Sequence, residues 1–286
     1  WLDTLTNYIT AIGYPDESSD SFKRFWPADL HMVGKDILRF HAVYWPAFLM
    51  AAGLPAPQRI FAHGWLLNRG EKMSKSLGNV LRPQDLVERY GLDQVRYYLL
   101  REVPFGSDGY ISHESMVARI NGDLANDFGN LAQRVLSMIA KNCGGKVPQP
   151  GELEEADSRL LTKAAALLPR LRDHYNKQAF HRALEATWQV VGDANRYVDE
   201  QAPWALRKTD QARMQTVLWV LAETVRRLAL LTQPVMPDTV GKMLDQLNVD
   251  EAQRSFAHLE SSLEAGTALP APTGVFPRFT EPEEEA

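Results

Sequence analysis

At 286 residues, with 45% apolar and 23% charged side chains and a formal net charge of −5, the sequence has the make-up of a globular chain with room for two domains. No stretch approaches the length of a membrane-spanning helix, and the lone Cys143 excludes an internal disulfide or a multi-cysteine zinc knot within these residues. The charge is uneven: residues 250–286 carry eight acids against Arg254 and Arg278, so the first 249 residues sum to about +1. Between Arg69 and Arg101 seven cations face four acids, a local excess that predicts confined, shape-driven contacts with any polyanion. With no secretory signal in view and one cysteine, the expected compartment is the reducing cytosol. The opening Trp1-Leu2-Asp3 is expected to lie in the middle of a longer protein.

In chain order, residues 1 to about 68 mix short apolar runs with glycine and proline breaks. Leu30 to Val33 predicts a buried strand, Gly34-Lys35 a turn, and Asp36 the N-cap of a helix running to about Ala52 before Gly53-Leu54-Pro55. Ile60 to Leu67 predicts a second strand, ending at Asn68-Arg69-Gly70; strand, helix, strand is one unit of a parallel α/β sheet. Two short helices are predicted after Arg82-Pro83, over Pro83–Tyr90 and Asp93–Arg101. Past Gly109 the pattern becomes long and amphipathic: Glu114–Cys143, Asp157–Tyr175, Ala179–Gln201 and Asp210–Gln233 predict an all-helical bundle. Leu124, Phe128, Leu131, Val135 and Met138 trace its clearest apolar stripe. From about Leu247 no period is evident, and a tail is expected, with Val275-Phe276-Pro277-Arg278 as a docking point and disorder at the end.

Four groups of residues carry chemistry. Lys72-Met73-Ser74-Lys75-Ser76 puts two cations and two hydroxyls on one short segment after a strand, a combination suited to a polyphosphate. A solvated turn is the bland alternative. Asp36, just after a strand, is placed to accept hydrogen bonds from both ribose hydroxyls of a nucleotide, or simply to cap a helix. Ile37, His41 and Trp45 fall four apart on one predicted helical face beside Phe40, and Trp1 and Tyr8 add aromatic surface. Together they describe an apolar pocket able to grip a thioether, although a buried histidine among aromatics is more often a satisfied core residue than a ligand. In the helical half, Asn130 and Arg134 stand one turn apart, and Trp204 follows Pro203 at a helix junction. By themselves these read as a solvated helix face and a core anchor.

The lysine pentamer spells the second signature of class I aminoacyl-tRNA synthetases, and with its flanks the chain closely resembles methionyl-tRNA synthetases over Trp1 to about Gln246. Thr4-Leu5 depart from the Ala-Pro that often follows Trp-Leu-Asp in that family. The resemblance implies an α/β plus all-α protein. Residues 1–68 would be the C-terminal half of a Rossmann-type catalytic domain, 69–115 the KMSKS loop and stem-contact region, 116–248 the helical anticodon-binding domain, and 249–286 a tail. It implies ATP bound by Gly34, Asp36, His63, Leu66, Lys72, Ser74 and Lys75, with Lys75 as the main catalytic cation and Lys72 assisting. Methionine would be held by Trp1, Tyr8, Ile37, Phe40 and His41, with Trp45 behind them. The CAU anticodon of tRNA(Met) would be read by Asn130, Arg134 and Trp204, with Asp199 repelling wrong partners.

The same resemblance implies Mg2+ accompanying ATP, no metal site in this segment, and any zinc in a connective domain lying outside it. It also implies no membrane partner and, given no further RNA-binding domain after Pro277, a monomer. A His-Ile-Gly-His-like ATP signature does not occur in these residues, so an N-terminal half is expected to be needed as partner, the chain by itself being unable to form the adenylate. Two alternatives stay open: a class I synthetase for leucine, isoleucine, valine or cysteine, and a non-catalytic tRNA-binding module.

Overall fold

The structure is a computed structural model describing residues 1–68, 71–73 and 78–281, with the backbone alone for Glu71 and Lys72. The chain divides into two compact units, Trp1–Asn79 with Pro104–Tyr110, and Val80–Val103 with Ile111–Ala286.

In the first unit, helix α1 (Leu2–Thr10) buries Leu5 and Ile9 one turn apart. Helix α2 (Asp20–Phe25) is capped by Ser19, whose side chain accepts from the Phe22 N–H. Strand β1 (His31–Gly34) pairs in parallel with β2 (Ile60–His63), His31 opposite Ile60 and Gly34 opposite His63. The helix expected from Asp36 is there, but it is not a regular α-helix. A 3₁₀ turn at Lys35–Ile37 and a π turn at Phe40–Tyr44 precede α3 (Trp45–Ala51). Asp36 is therefore no N-cap: extended Gly34 precedes the turn, and Asp36 lies inside it. The core packs Leu5, Ile9, Phe22, Trp26, Trp45, Leu49 and Leu54 together.

The single strand expected over residues 60–67 is two strands in different sheets. After β2 the chain turns at Gly64-Trp65, and β3 (Leu66–Asn68) joins a three-stranded sheet in the order β4-β3-β5. Strand β4 (Glu71–Lys72) pairs antiparallel with β3, and Gly109 of β5 (Gly109–Ile111) donates to the Trp65 carbonyl at 2.9 Å. The break follows from a close approach: a Cβ on Gly64 would lie 2.2 Å from the Ser107 carbonyl, so only glycine lets the two backbones meet there.

The second unit begins with α4 (Pro83–Tyr90) and α5 (Leu92–Arg101), close to the sequence expectation. The long helix expected over 114–143 runs as α6 (His113–Arg119), a π stretch at Ile120–Gly129, and α7 (Asn130–Asn142). The helix expected over 157–175 is two, α8 (Glu155–Ala165) and α9 (Leu167–Asn176). Then follow α10 (Phe180–Gln201), a short α11 (Pro203–Thr209), α12 (Gln211–Thr232) and α13 (Pro237–Gln246). Helix α12 is buried along most of its length and serves as the axis of the bundle.

Two buried carboxylates in this unit, Asp157 and Glu223, are engaged at both oxygens. Asp157 accepts from both outer nitrogens of Arg213 (2.5 and 2.8 Å) and from the Tyr197 hydroxyl (2.5 Å), tying α8, α10 and α12 together. Glu223, wholly buried, accepts from Arg226, Arg227 and the Leu263 N–H. Through that last bond it fastens the segment after α13 to the bundle axis. The final described residues also pack down: Phe276 is buried against Phe128, and Phe279 pairs through its backbone with the Asn121 side chain in both directions (2.8 and 3.2 Å).

Candidate functional site

The first candidate lies at the carboxyl ends of the parallel strands β1 and β2, where α/β sheets present their ligands. Gly34 and His63 are register partners there. A Cβ at Gly34 would sit 2.5 Å from Oδ1 of Asp36 and 3.8 Å from Cε1 of His63, so the glycine makes room for the carboxylate to fold back beside the strand end. Gly34, Asp36 and His63 thus converge. His63 bonds the Gly64 carbonyl through Nδ1 (2.9 Å), which therefore carries the proton of the neutral ring, and Phe105 stacks on both His63 and Phe61.

Lys35, missed in the sequence, reaches both oxygens of Asp108 at 2.7 Å and lies 4.5 Å over the Trp65 ring. Its hydrogen bond, helped by the Trp65 N–H, holds the Asp108 carboxyl below its ordinary range. Leu66 follows with an exposed side chain. Lys72 occupies β4 opposite Leu67. Ser74 and Lys75 lie outside the described residues.

The second candidate is the aromatic cluster around Trp1, Tyr8, Phe40 and His41. Trp1 stacks on Phe40 at 3.8 Å between ring centres and an interplanar angle of 12°. The Ile37 carbonyl can only accept, so Nδ1 of His41 (3.0 Å away) donates to it. In the neutral ring Nε2 then accepts from the Tyr8 hydroxyl at 2.9 Å. The chain Tyr8–His41–Ile37 fixes one tautomer and leaves the oxygen lone pairs of Tyr8 as its outward-facing polarity. The π turn at Phe40–Tyr44 shifts this face from the regular spacing expected of Ile37, His41 and Trp45.

His31, read only as the start of a strand, is the piece the sequence did not offer. The indole N–H of Trp45 donates to its Nε2 (3.2 Å), Tyr8 lies 4.5 Å from its ring centre, and Trp26 and His41 border it. Burial first, then repulsion by His41, pushes the His31 pKa down, which suits a ring that accepts from an indole. A histidine inside a short strand carries no local sign of such a role; its partners come from separate segments of the unit.

The third candidate is on the bundle. Arg134 of α7 meets Asp199 of α10 at 2.9 Å, and its guanidinium lies 5.7 Å from the ring centre of Trp204 on α11. Trp204 is 47% exposed, so it is not a core anchor. Ala202, in the left-handed region at φ 42°, turns the chain between α10 and α11 and leaves Pro203 as the first residue of the new helix. Asn130 is exposed one turn before Arg134. Asp199 is paired with Arg134, so it orients that guanidinium instead of standing as a lone charge. Among the described residues, no group of three or more His, Cys, Asp or Glu side chains is placed to hold a metal ion, and no helix is long and apolar enough to cross a membrane.

Comparison with known proteins accounts for both units. A family profile described as "tRNA synthetases class I (M)" matches residues 1–136, and one described as "Anticodon binding domain of methionyl tRNA ligase" matches residues 147–286. The chain belongs to the methionyl-tRNA synthetase family. It is 61% identical over 287 residues to the methionine–tRNA ligase of Mycobacterium tuberculosis, covering 99% of this chain and 55% of the relative. The Brucella suis methionine–tRNA ligase is likewise 61% identical, over 100% of this chain and 55% of its own length. Among solved structures, Mycobacterium tuberculosis methionyl-tRNA synthetase in complex with methionyl-adenylate superposes with a TM-score of 0.94 at 62% identity, over 97% of this chain and 55% of that one. The chain thus spans about half the length of the methionyl-tRNA synthetases it matches, and combines a class I catalytic-type portion with a helical anticodon-binding portion.

Proposed function

We propose that this chain is the C-terminal part of a methionine–tRNA ligase, which activates L-methionine with ATP to methionyl-adenylate and transfers it to tRNA(Met). The observation that carries the reading is the aromatic cluster in which Trp1 stacks on Phe40 and Tyr8 bonds His41. Aromatic faces favour a thioether, and a hydroxyl held by a fixed imidazole tests shape and polarity at one point. The relative whose solved structure contains methionyl-adenylate supports it.

In this proposal Gly34 and Asp36, with His63 and the backbone at Leu66, hold the adenosine at the carboxyl edge of the Rossmann-type sheet. The KMSKS segment closes over the phosphates, and Lys75, with Ser74 and Lys72, meets the charge that grows on departing pyrophosphate. The methionine carboxylate attacks the α-phosphorus, the bond to the β-phosphate oxygen breaks, and pyrophosphate leaves with its electron pair. Magnesium enters with ATP as its counter-ion. An N-terminal catalytic half completes the nucleotide site, and the protein acts in the cytosol as a monomer. On the bundle, Trp204 stacks on an unstacked anticodon base while Asn130 and Arg134 hydrogen-bond base edges.

The test is amino-acid-dependent ATP–pyrophosphate exchange by the full-length protein. L-Methionine is expected to drive exchange, with leucine, isoleucine, valine and cysteine far behind. Equal exchange with one of those four would overturn the assignment of substrate.

A further inference from the structure

Between α8 and α10 the bundle has a cleft of about 210 Å³ that the anticodon reading does not use. Arg159 and Lys163 of α8 and Arg196 of α10 line it, with Asp193 and Glu200 as its carboxylates. Arg159 and Lys163 are exposed and four residues apart on one helical face, so both cations border the same side of the cleft. Asp193 bridges two of the cations, 2.6 Å from Lys163 and 3.5 Å from Arg196, so one carboxylate holds both ammonium and guanidinium at the cleft. Arg170 of α9 continues the basic line, bonded to Gln189 of α10 at 3.3 Å. The cleft itself carries three cations against two carboxylates, a positive lining on a chain whose net charge is −5.

Its place on α10 decides what it faces. Gln189, Gly192, Arg196 and Asp199 form one exposed stripe at helical spacing. Asp199 reaches from it to Arg134 and the Trp204 site, whereas Asp193 borders it on the other side, toward α8. Six residues separate the two aspartates, about 9 Å along the axis, a span that two or three stacked nucleotides cover at about 3.4 Å each. We infer that the α8–α10 cleft seats a backbone phosphate of the same RNA arm whose anticodon is presented to Trp204. The inference rests on the tRNA reading above. Lys163 and Arg159 supply charge without reading sequence, Arg196 adds a planar donor from the stripe, and Asp193 keeps the cations gathered in the free protein while competing with the phosphate.

The test is binding of CAU-anticodon tRNA transcript to the full-length protein between about 50 and 200 mM salt. Arg159→Gln with Lys163→Gln is expected to weaken binding several-fold for CAU and altered anticodons alike, and to lower the salt slope by about 1 for each phosphate that is no longer neutralised. Asp193→Asn, which removes the competing carboxylate, is expected to tighten binding roughly two- to fivefold. A purely structural ion pair would move neither value. Unchanged affinity and slope in the double variant, with Trp204→Ala still weakening binding, would overturn the cleft and leave the tRNA reading intact. Unchanged binding in Trp204→Ala as well would remove the tRNA reading and this inference with it. Both substituted cations are exposed, so an unaltered melting temperature separates these outcomes from misfolding.

Discussion

The two units differ in what they bury. The helical unit closes a continuous core around α12 and pairs the buried carboxylates Asp157 and Glu223 with its own arginines. The α/β unit has a small core and shows large apolar side chains to the outside, among them Trp1, Tyr8, Met32, Val43 and Met50. Some of its polar groups form a cluster beside that core: His31, His41 and Tyr8 bond one another or aromatic neighbours in one chain of contacts. The contrast teaches that the bundle draws its stability from one continuous core, whereas the smaller unit leaves more of its aromatic and apolar surface uncovered.

The strongest challenge to that contrast is Glu223→Ala. It leaves Arg226, nearly fully buried, without its partner carboxylate, and is expected to cost the bundle on the order of 3–5 kcal/mol in denaturant melts. If the loss stays below about 1 kcal/mol, the bundle does not depend on its buried charges as described. Lys75→Ala bears on the other unit. In the full-length protein adenylate formation is expected to fall on the order of a hundredfold or more, with methionine affinity nearly unchanged. Equal losses in both would remove its transition-state role.

Tyr8→Phe is a smaller perturbation. Loss of one hydrogen bond to His41 is expected to weaken methionine binding by about 1 kcal/mol, roughly fivefold, while Tm barely changes. The gentlest probe is acid. His31 has its pKa lowered from 6.5, so its contribution to the α/β unit is full above about pH 6.5 and is lost as pH falls through the lowered value. Burial raises the Asp157 pKa, but bonds from Arg213 and Tyr197 outweigh it and bring the net value below 3.8, so the bundle keeps that contribution until pH falls below about 3.8. Hydrogen exchange near pH 5 is therefore expected to rise around His31 while the segments tied by Asp157 stay protected; equal loss of protection at both would contradict the separation.

Much of this arrangement was legible from residues alone, where the signal is local and repeated. The ends of α10 and α12 follow from their long apolar periods, and α4 from Pro83 at its first turn. Trp1, Tyr8, Phe40 and His41, grouped from sequence, do meet in space. What escaped depends on distant partners or on single insertions. The π turns at Phe40–Tyr44 and Ile120–Gly129 alter hydrogen-bond spacing without altering composition. The break at Gly64 is imposed by Ser107, far along the chain, and α1 buries too few residues, Leu5 and Ile9, to show a period. His31 and Lys35 acquire their partners, Trp45 and Asp108, only when separate segments come together.

The most direct test of the division of labour is Trp204→Ala in the full-length protein, followed in two assays. Methionine-dependent pyrophosphate exchange is expected to stay at the wild-type rate, while tRNA(Met) charging loses the roughly 1–3 kcal/mol that one base–aromatic stack contributes. If exchange falls in step with charging, the half-exposed tryptophan supports the fold or the chemistry and does not read RNA, and the separation of roles between the two units fails.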